Sequence, residues 1–202
     1  MRSTRKRRAG LIVGSTLALM MGVAALVPGS AQSKLALGQN VRWDFLQLAP
    51  SGAPTTGLAG GTDTGRDTAT GDTVVLTGSG NAIPAIRDAT GGGIFVHRHA
   101  DGSVVAQGFY LVTGFVSWHR RTGTFPLPND GVGHASQASA GLLTLDITAF
   151  PDGGPAAGVP GVLTIHCHFP DTPGPADEGF TLDILSFHFE QAGGVTVFHV
   201  FR

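Results

Sequence analysis

The 202-residue sequence predicts an all-β fold, namely a single antiparallel β-sandwich or β-barrel of about eight strands preceded by a signal peptide. Three observations support this fold class. Short runs of β-branched and aromatic residues alternate with glycine-rich turns, and almost no segment beyond the first 31 residues has helical periodicity. Most connections are also too short for the crossovers that parallel strands require, so antiparallel pairing is expected.

Residues 1–31 have the three parts of a secretory signal peptide. A basic start, MRSTRKRR, precedes an apolar run, and small residues at Gly29 and Ala31 would occupy the cleavage site. An uncleaved membrane anchor is the alternative, because the apolar run approaches the ~20 residues that span a bilayer. Cleavage after Ala31 would leave residues 32–202 as a single β domain, secreted or in the cell envelope and without membrane attachment.

Removal of the signal peptide changes the charge of the chain. Five of the 13 Lys and Arg residues lie in it, so the mature chain keeps 8 basic against 14 acidic residues, a net charge of −6. Nucleic-acid binding is not expected from this balance, because no basic patch is left to neutralise phosphates.

The predicted strands follow one another with few long interruptions. The longest run contains Gly108 and Gly114, which are expected to mark bulges or a bend. The strands are predicted at 41–48, 73–78, 93–99, 103–118, 141–150, 161–169, 180–189 and 194–201.

Two stretches are predicted as long loops. Residues 49–72 are rich in Gly, Thr and Asp and contain only one large apolar side chain, Leu58, so a flexible excursion is expected there. Residues 119–140 form a second long connection, in which Pro126 and Pro128 disfavour a central strand.

The only cysteine of the chain stands between two histidines, in the segment VLTIHCHFP. Side chains alternate across a strand, so Cys167 shares a face with Leu163 and Ile165, while His166 and His168 point the other way. Cys167 is therefore interpreted as a small, inert core residue. A single cysteine cannot form an internal disulfide, and burial disfavours a disulfide-linked dimer through it.

A second His-x-His pair supports a metal hypothesis. His97 and His99 share one face of a predicted strand, as His166 and His168 do on another. Four imidazoles from two neighbouring strands could bind zinc or copper. The alternative interpretation is that these histidines are half-exposed strand residues, and no cofactor is otherwise implied.

Two short segments resemble known families. His166, Cys167 and His168 resemble the His-Cys-His motif of multicopper oxidases, but the further His and the Met or Leu ligand of that motif are absent from the residues that follow. The run from Ala106 to Tyr110 resembles a strand of dirigent-type proteins. That resemblance implies an exported barrel of eight strands that holds a ligand.

The sequence therefore favours a non-enzymatic extracellular or envelope module that binds a protein partner or a small molecule. One alternative is a zinc- or copper-binding protein, or a metalloenzyme, built on the two His-x-His strands. The other is a β-barrel that holds a small ligand. The sequence contains no nucleophile elbow, phosphate loop or His-Glu-x-x-His motif that would indicate a particular enzyme.

Overall fold

The computed structural model describes residues 38–49, 55–175 and 177–201 of the chain. In these residues the structure is all-β, with thirteen strands in one large sheet and two 3₁₀ turns, at Pro84–Ile86 and Ala135–Gln137. The predicted all-β class is confirmed. No helix in the described ranges has the length and apolar character that a membrane span requires. The predicted signal peptide, residues 1–31, lies outside the described residues.

The strands vary from two to eighteen residues in length. In chain order they are β1 (Asn40–Leu48), β2 (Thr56–Ala59), β3 (Thr62–Asp67), β4 (Thr73–Thr77), β5 (Ser79–Ile83), β6 (Asp88–Arg98), β7 (Val104–Arg121), β8 (Asn129–Asp130), β9 (Ala138–Pro151), β10 (Val159–Cys167), β11 (Gly179–Ile184), β12 (Phe187–Gly193) and β13 (Thr196–Phe201).

The pairing of the strands forms two circuits. The first, here called the large circuit, runs β9–β10–β11–β12–β3–β4–β6–β7 and returns to β9, with every pair antiparallel. The second runs through β5, β1 and β13 and shares β6, β7 and β9 with the first. β2 adds to β1 in antiparallel fashion, and β8 adds to β2 in parallel.

The core lies on the inner faces of these strands, where apolar residues alternate with outward polar ones. On β9, Leu143, Leu145 and Ile147 are buried, and on β10 Leu163 and Ile165 are buried, as the alternation predicts. The six largest fully buried side chains complete this core: Trp43, Tyr110, Phe45, Phe180, Phe189 and Phe198.

The two glycines of the long strand β7 have different roles. Its register with β9 shifts between Val112 and Gly114, and again between Phe115 and Ser117. Gly108 has a different role, because a Cβ there would lie 2.1 Å from the carbonyl oxygen of Phe150. The bulge at Gly114 is confirmed, whereas Gly108 permits close approach of two backbones.

The segment 49–72 differs from the expectation of a strand-free excursion, because it contains β2 and β3. The sequence of β3, TDTGRD, has no large apolar residue, and its inward positions are Asp63, Gly65 and Asp67. Gly65 leaves room for the ring of Phe180 and the Cβ of Phe189 to pack against the backbone. The strand is thus held by backbone pairing and by its neighbours' side chains rather than by its own apolar surface.

The predicted strand 180–189 is two strands, β11 and β12, joined by a turn at Leu185 and Ser186. Leu185 adopts the left-handed conformation, with φ of 54°, which the sequence does not indicate because glycine or asparagine usually occupies such a position. This turn, together with β2, β3, β5 and β8, raises the strand number above the predicted eight.

Candidate functional site

An apolar cavity lies inside the large circuit. Its volume is about 90 Å³, and its mouth is open to solvent. Seven of the eight strands of the circuit contribute to its walls. The lining residues are Val74, Leu76, Phe95, His97, Ala106, Tyr110, Ile147, Ala149, Pro151, Val159, Leu182, Ile184, Leu185, Phe187 and Phe189.

The strand register explains why these side chains converge. Val74 pairs with His97, and His97 pairs with Ala106, so one cross-strand row of β4, β6 and β7 faces inward together. Leu185, in the turn between β11 and β12, is 79% exposed and also lines the cavity. An exposed leucine therefore stands at the mouth of an apolar interior.

A buried aspartate joins the two histidines of the first His-x-His pair. Oδ2 of Asp72 lies 3.0 Å from Nε2 of His97 and 3.3 Å from Nδ1 of His99. Asp72 precedes β4 and is buried, as is His97, whereas the side chain of His99 is 58% exposed. The ring of His97 also meets Phe187 and Phe189 edge to face, with centroids 4.8 and 5.4 Å away. The hydrogen bond to Asp72 and the two ring contacts hold the imidazole of His97 in the cavity wall.

The other polar residue of the lining, Tyr110, has its hydroxyl engaged elsewhere. The hydroxyl donates to the carbonyl oxygen of Thr77 over 2.8 Å. Burial raises the pKa of Tyr110, so the phenol stays neutral. His97 is therefore the lining residue with a ring nitrogen, Nδ1, that makes no hydrogen bond to a described residue.

His166 lies on β10, and His168 directly follows the last residue of that strand. β10 pairs with β9 and β11 and not with β6. His166 lines a polar cleft with Asp177, Glu178 and Gln191, and neither of its buried ring nitrogens has a hydrogen-bond partner in the described part of the chain. Burial lowers the pKa of His166, a shift that Asp177 opposes and Arg121 reinforces. The structure thus places the two His-x-His pairs in separate surroundings.

Glu178 connects this cleft to β13 through hydrogen bonds. One of its oxygens accepts a hydrogen bond from the backbone N–H of His168, at 2.5 Å, and the other from that of Thr196, at 2.7 Å. Burial raises the pKa of Glu178, and these backbone donors oppose the shift. Its carboxyl group is therefore used to order the backbone around β13.

Cys167 lies in the core, as its place in the alternation predicts. It is buried and unpaired with another cysteine, and burial raises the pKa of its thiol well above the usual value. Its Sγ donates to the carbonyl oxygen of Thr196 over 3.5 Å.

Zinc or copper binding by His97, His99, His166 and His168 stays a prediction. Among the described residues, no group of three or more His, Cys, Asp and Glu side chains is arranged to hold a metal ion. The partner that sequence reasoning missed is Asp72, which stands 25 residues before His97 at the end of a segment interpreted as a loop. No local spacing signals it, since only the pairing of β4 with β6 brings it to the histidines.

The chain was also compared with known proteins. No family model, no curated protein and no solved structure matches it.

Proposed function

We propose that this chain is an exported, non-enzymatic protein that holds a small, mostly apolar ligand inside its sheet. The observation that carries the proposal is the apolar cavity walled by the large circuit, which we take to act as a barrel. Export would follow from cleavage of residues 1–31 and would deliver the protein to the envelope or the exterior.

The chemistry of the walls favours holding a ligand over transforming it by nucleophilic attack. The lining within the described residues presents aliphatic and aromatic side chains, one histidine and one tyrosine, and no Ser, Thr, Cys, Asp or Glu. Apolar walls stabilise a bound apolar molecule by about 25 cal/mol for each Å² removed from water. The cavity, at about 90 Å³, is smaller than the roughly 150 Å³ dry apolar cavity that is known to hold benzene, so its ligand would be at most one six-membered ring that extends into the open mouth.

Cyclohexane is the probe that tests this proposal most simply. We expect it to bind the full chain and to shift the amide signals of β4, β6, β11 and β12 in a nuclear magnetic resonance titration. Ala149→Leu should weaken binding at least about tenfold, because Ala149 lines the cavity and a larger side chain would fill it. The free energy of unfolding should change little, since the new methyl groups enter empty space.

A variant one residue away provides the matched control. Thr148 lies on the opposite face of β9 and does not line the cavity. Thr148→Leu should therefore leave cyclohexane binding unchanged. Equal binding by wild type and Ala149→Leu would place the ligand elsewhere and would contradict the proposal, as would absence of binding by the wild type.

A further inference from the structure

The proton positions on the Asp72–His97 pair follow from the chemistry of the carboxylate. When Asp72 is ionised it only accepts hydrogen bonds, so Nε2 of His97 and Nδ1 of His99 are then both donors to it. In neutral His97 the proton therefore sits on Nε2, and Nδ1 carries a lone pair that can accept.

This lone pair has no partner in the protein. Nδ1 of His97 makes no hydrogen bond with any described residue. It is also not one of the side-chain polar atoms that are both fully buried and unpartnered among the described residues, so it is accessible. His97 is otherwise 9% exposed and lines the cavity. The accessible acceptor thus belongs to a residue in an apolar wall, and the Tyr110 hydroxyl is already committed to Thr77.

We propose that the cavity selects small apolar molecules that carry one hydrogen-bond donor, such as a ring with a hydroxyl group, and that Nδ1 of His97 accepts from that donor. This inference rests on the proposed function, because it names the ligand class of the same cavity. A ligand without a donor would bury the acceptor unpaired, which carries a free-energy penalty. A site built around one polar contact therefore discriminates strongly against analogues that lack the matching group.

Three probes of nearly equal size separate the contributions. Cyclohexanol has a donor, cyclohexanone has only an acceptor, and cyclohexane has neither. We expect the full chain to bind cyclohexanol about tenfold more tightly than cyclohexanone, measured by nuclear magnetic resonance titration. In His97→Phe, which keeps an aromatic ring in the wall, the preference should disappear while cyclohexane still binds.

A second variant keeps the test informative if His97→Phe does not fold. In Asp72→Asn the amide can donate to Nε2 and leave the proton of His97 on Nδ1, so the preference for cyclohexanol should narrow or reverse. Equal affinities for cyclohexanol and cyclohexanone in the wild type, or a preference that survives both substitutions, would overturn the inference and leave the proposed function standing. Failure of cyclohexane to bind the wild type would instead overturn the proposed function itself.

Discussion

Asp130→Ala is expected to lower the free energy of unfolding by about 1–3 kcal/mol, the typical cost of leaving a buried hydrogen-bonding group without its partner. Oδ2 of Asp130 lies 2.6 Å from Nε2 of His199, and both side chains are buried. The other oxygen, Oδ1, accepts from the backbone N–H groups of Val132 and Gly133. The substitution would thus leave His199 without its partner in the core. It would also remove the hydrogen bonds that hold the turn after β8.

The shift in the pKa of Asp130 agrees with this role. Burial alone would raise that pKa, but the hydrogen bonds from His199, Gly133 and Val132 outweigh burial and lower it. Because a carboxyl group with a lowered folded-state pKa stabilises the fold above its unfolded-state pKa, this contribution is present at neutral pH and is lost on acidification.

Urea unfolding at pH 7 measures the loss, and a double-mutant cycle identifies its source. Asp130→Asn retains an acceptor for the backbone N–H groups of the turn, so it should lower the free energy of unfolding by less than Asp130→Ala does. His199→Leu removes the buried imidazole, so the double variant with Asp130→Ala should be more stable than the sum of the two single losses by about 1 kcal/mol or more. Strict additivity, or a loss below about 1 kcal/mol for Asp130→Ala, would show that the pair does not hold this loop.

Asp63→Asn is expected to stabilise the protein at pH 8 by up to about 4 kcal/mol and to have little effect at pH 4. Asp63 is fully buried on β3, and only Oδ1 has a partner among the described residues, the backbone N–H of Thr64 at 2.7 Å. Gly179 and Gly194 leave the space that its carboxyl group occupies. Burial raises the pKa of Asp63 from 3.8 to about 7, the hydrogen bond from Thr64 opposes this, and the nearby Glu178 adds to it.

The sign of the effect follows from proton binding. Between pH 3.8 and about 7 the folded protein holds a proton on Asp63 that the unfolded chain has released. Stability therefore falls as the pH rises through this window, and the full penalty is present above pH 7. Asparagine keeps the acceptor for Thr64 and never ionises, so it removes the penalty.

Unfolding by urea at pH 4, 6 and 8 checks this result. The raised pKa values of Glu178 and Asp44 contribute in the same direction as that of Asp63, and the lowered pKa of His166 contributes in the opposite one. These groups remain in the variant, so the difference between variant and wild type reports Asp63 together with its interaction with Glu178. Asp88→Asn, at an exposed site, is the matched control and should change stability little at any pH. A gain that is the same at pH 4 and pH 8 would mean that Asp63 does not titrate as described.

Much of the fold follows from residue alternation, but several strands do not. β9 and β10 have clean apolar faces, and their inward residues, including Cys167, are those that the alternation predicts. Alternation does not predict β3, because its inward positions are Asp63, Gly65 and Asp67 and its burial therefore depends on neighbouring side chains. The turn at Leu185 is not predicted either, since leucine rarely adopts a positive φ.

The candidate site was predictable only in part, for a related reason. His97 and His99 stand out in the sequence as a pair that shares a face, and the structure gives them a common partner. That partner, Asp72, is brought to them by long-range pairing of β4 with β6. The cavity likewise arises from seven strands distributed between residues 74 and 189, and no local pattern reveals empty space.

The central claim, a small apolar ligand held inside the large circuit, is tested most directly by locating such a ligand. The measurement is the nuclear Overhauser effect between the protons of bound cyclohexane and side-chain protons of the full chain. We predict contacts to Leu182, Phe187 and Phe189, which line the cavity. Contacts only to exposed apolar side chains of the outer surface, such as Ile94 and Leu111, or no contacts at all, would contradict the account.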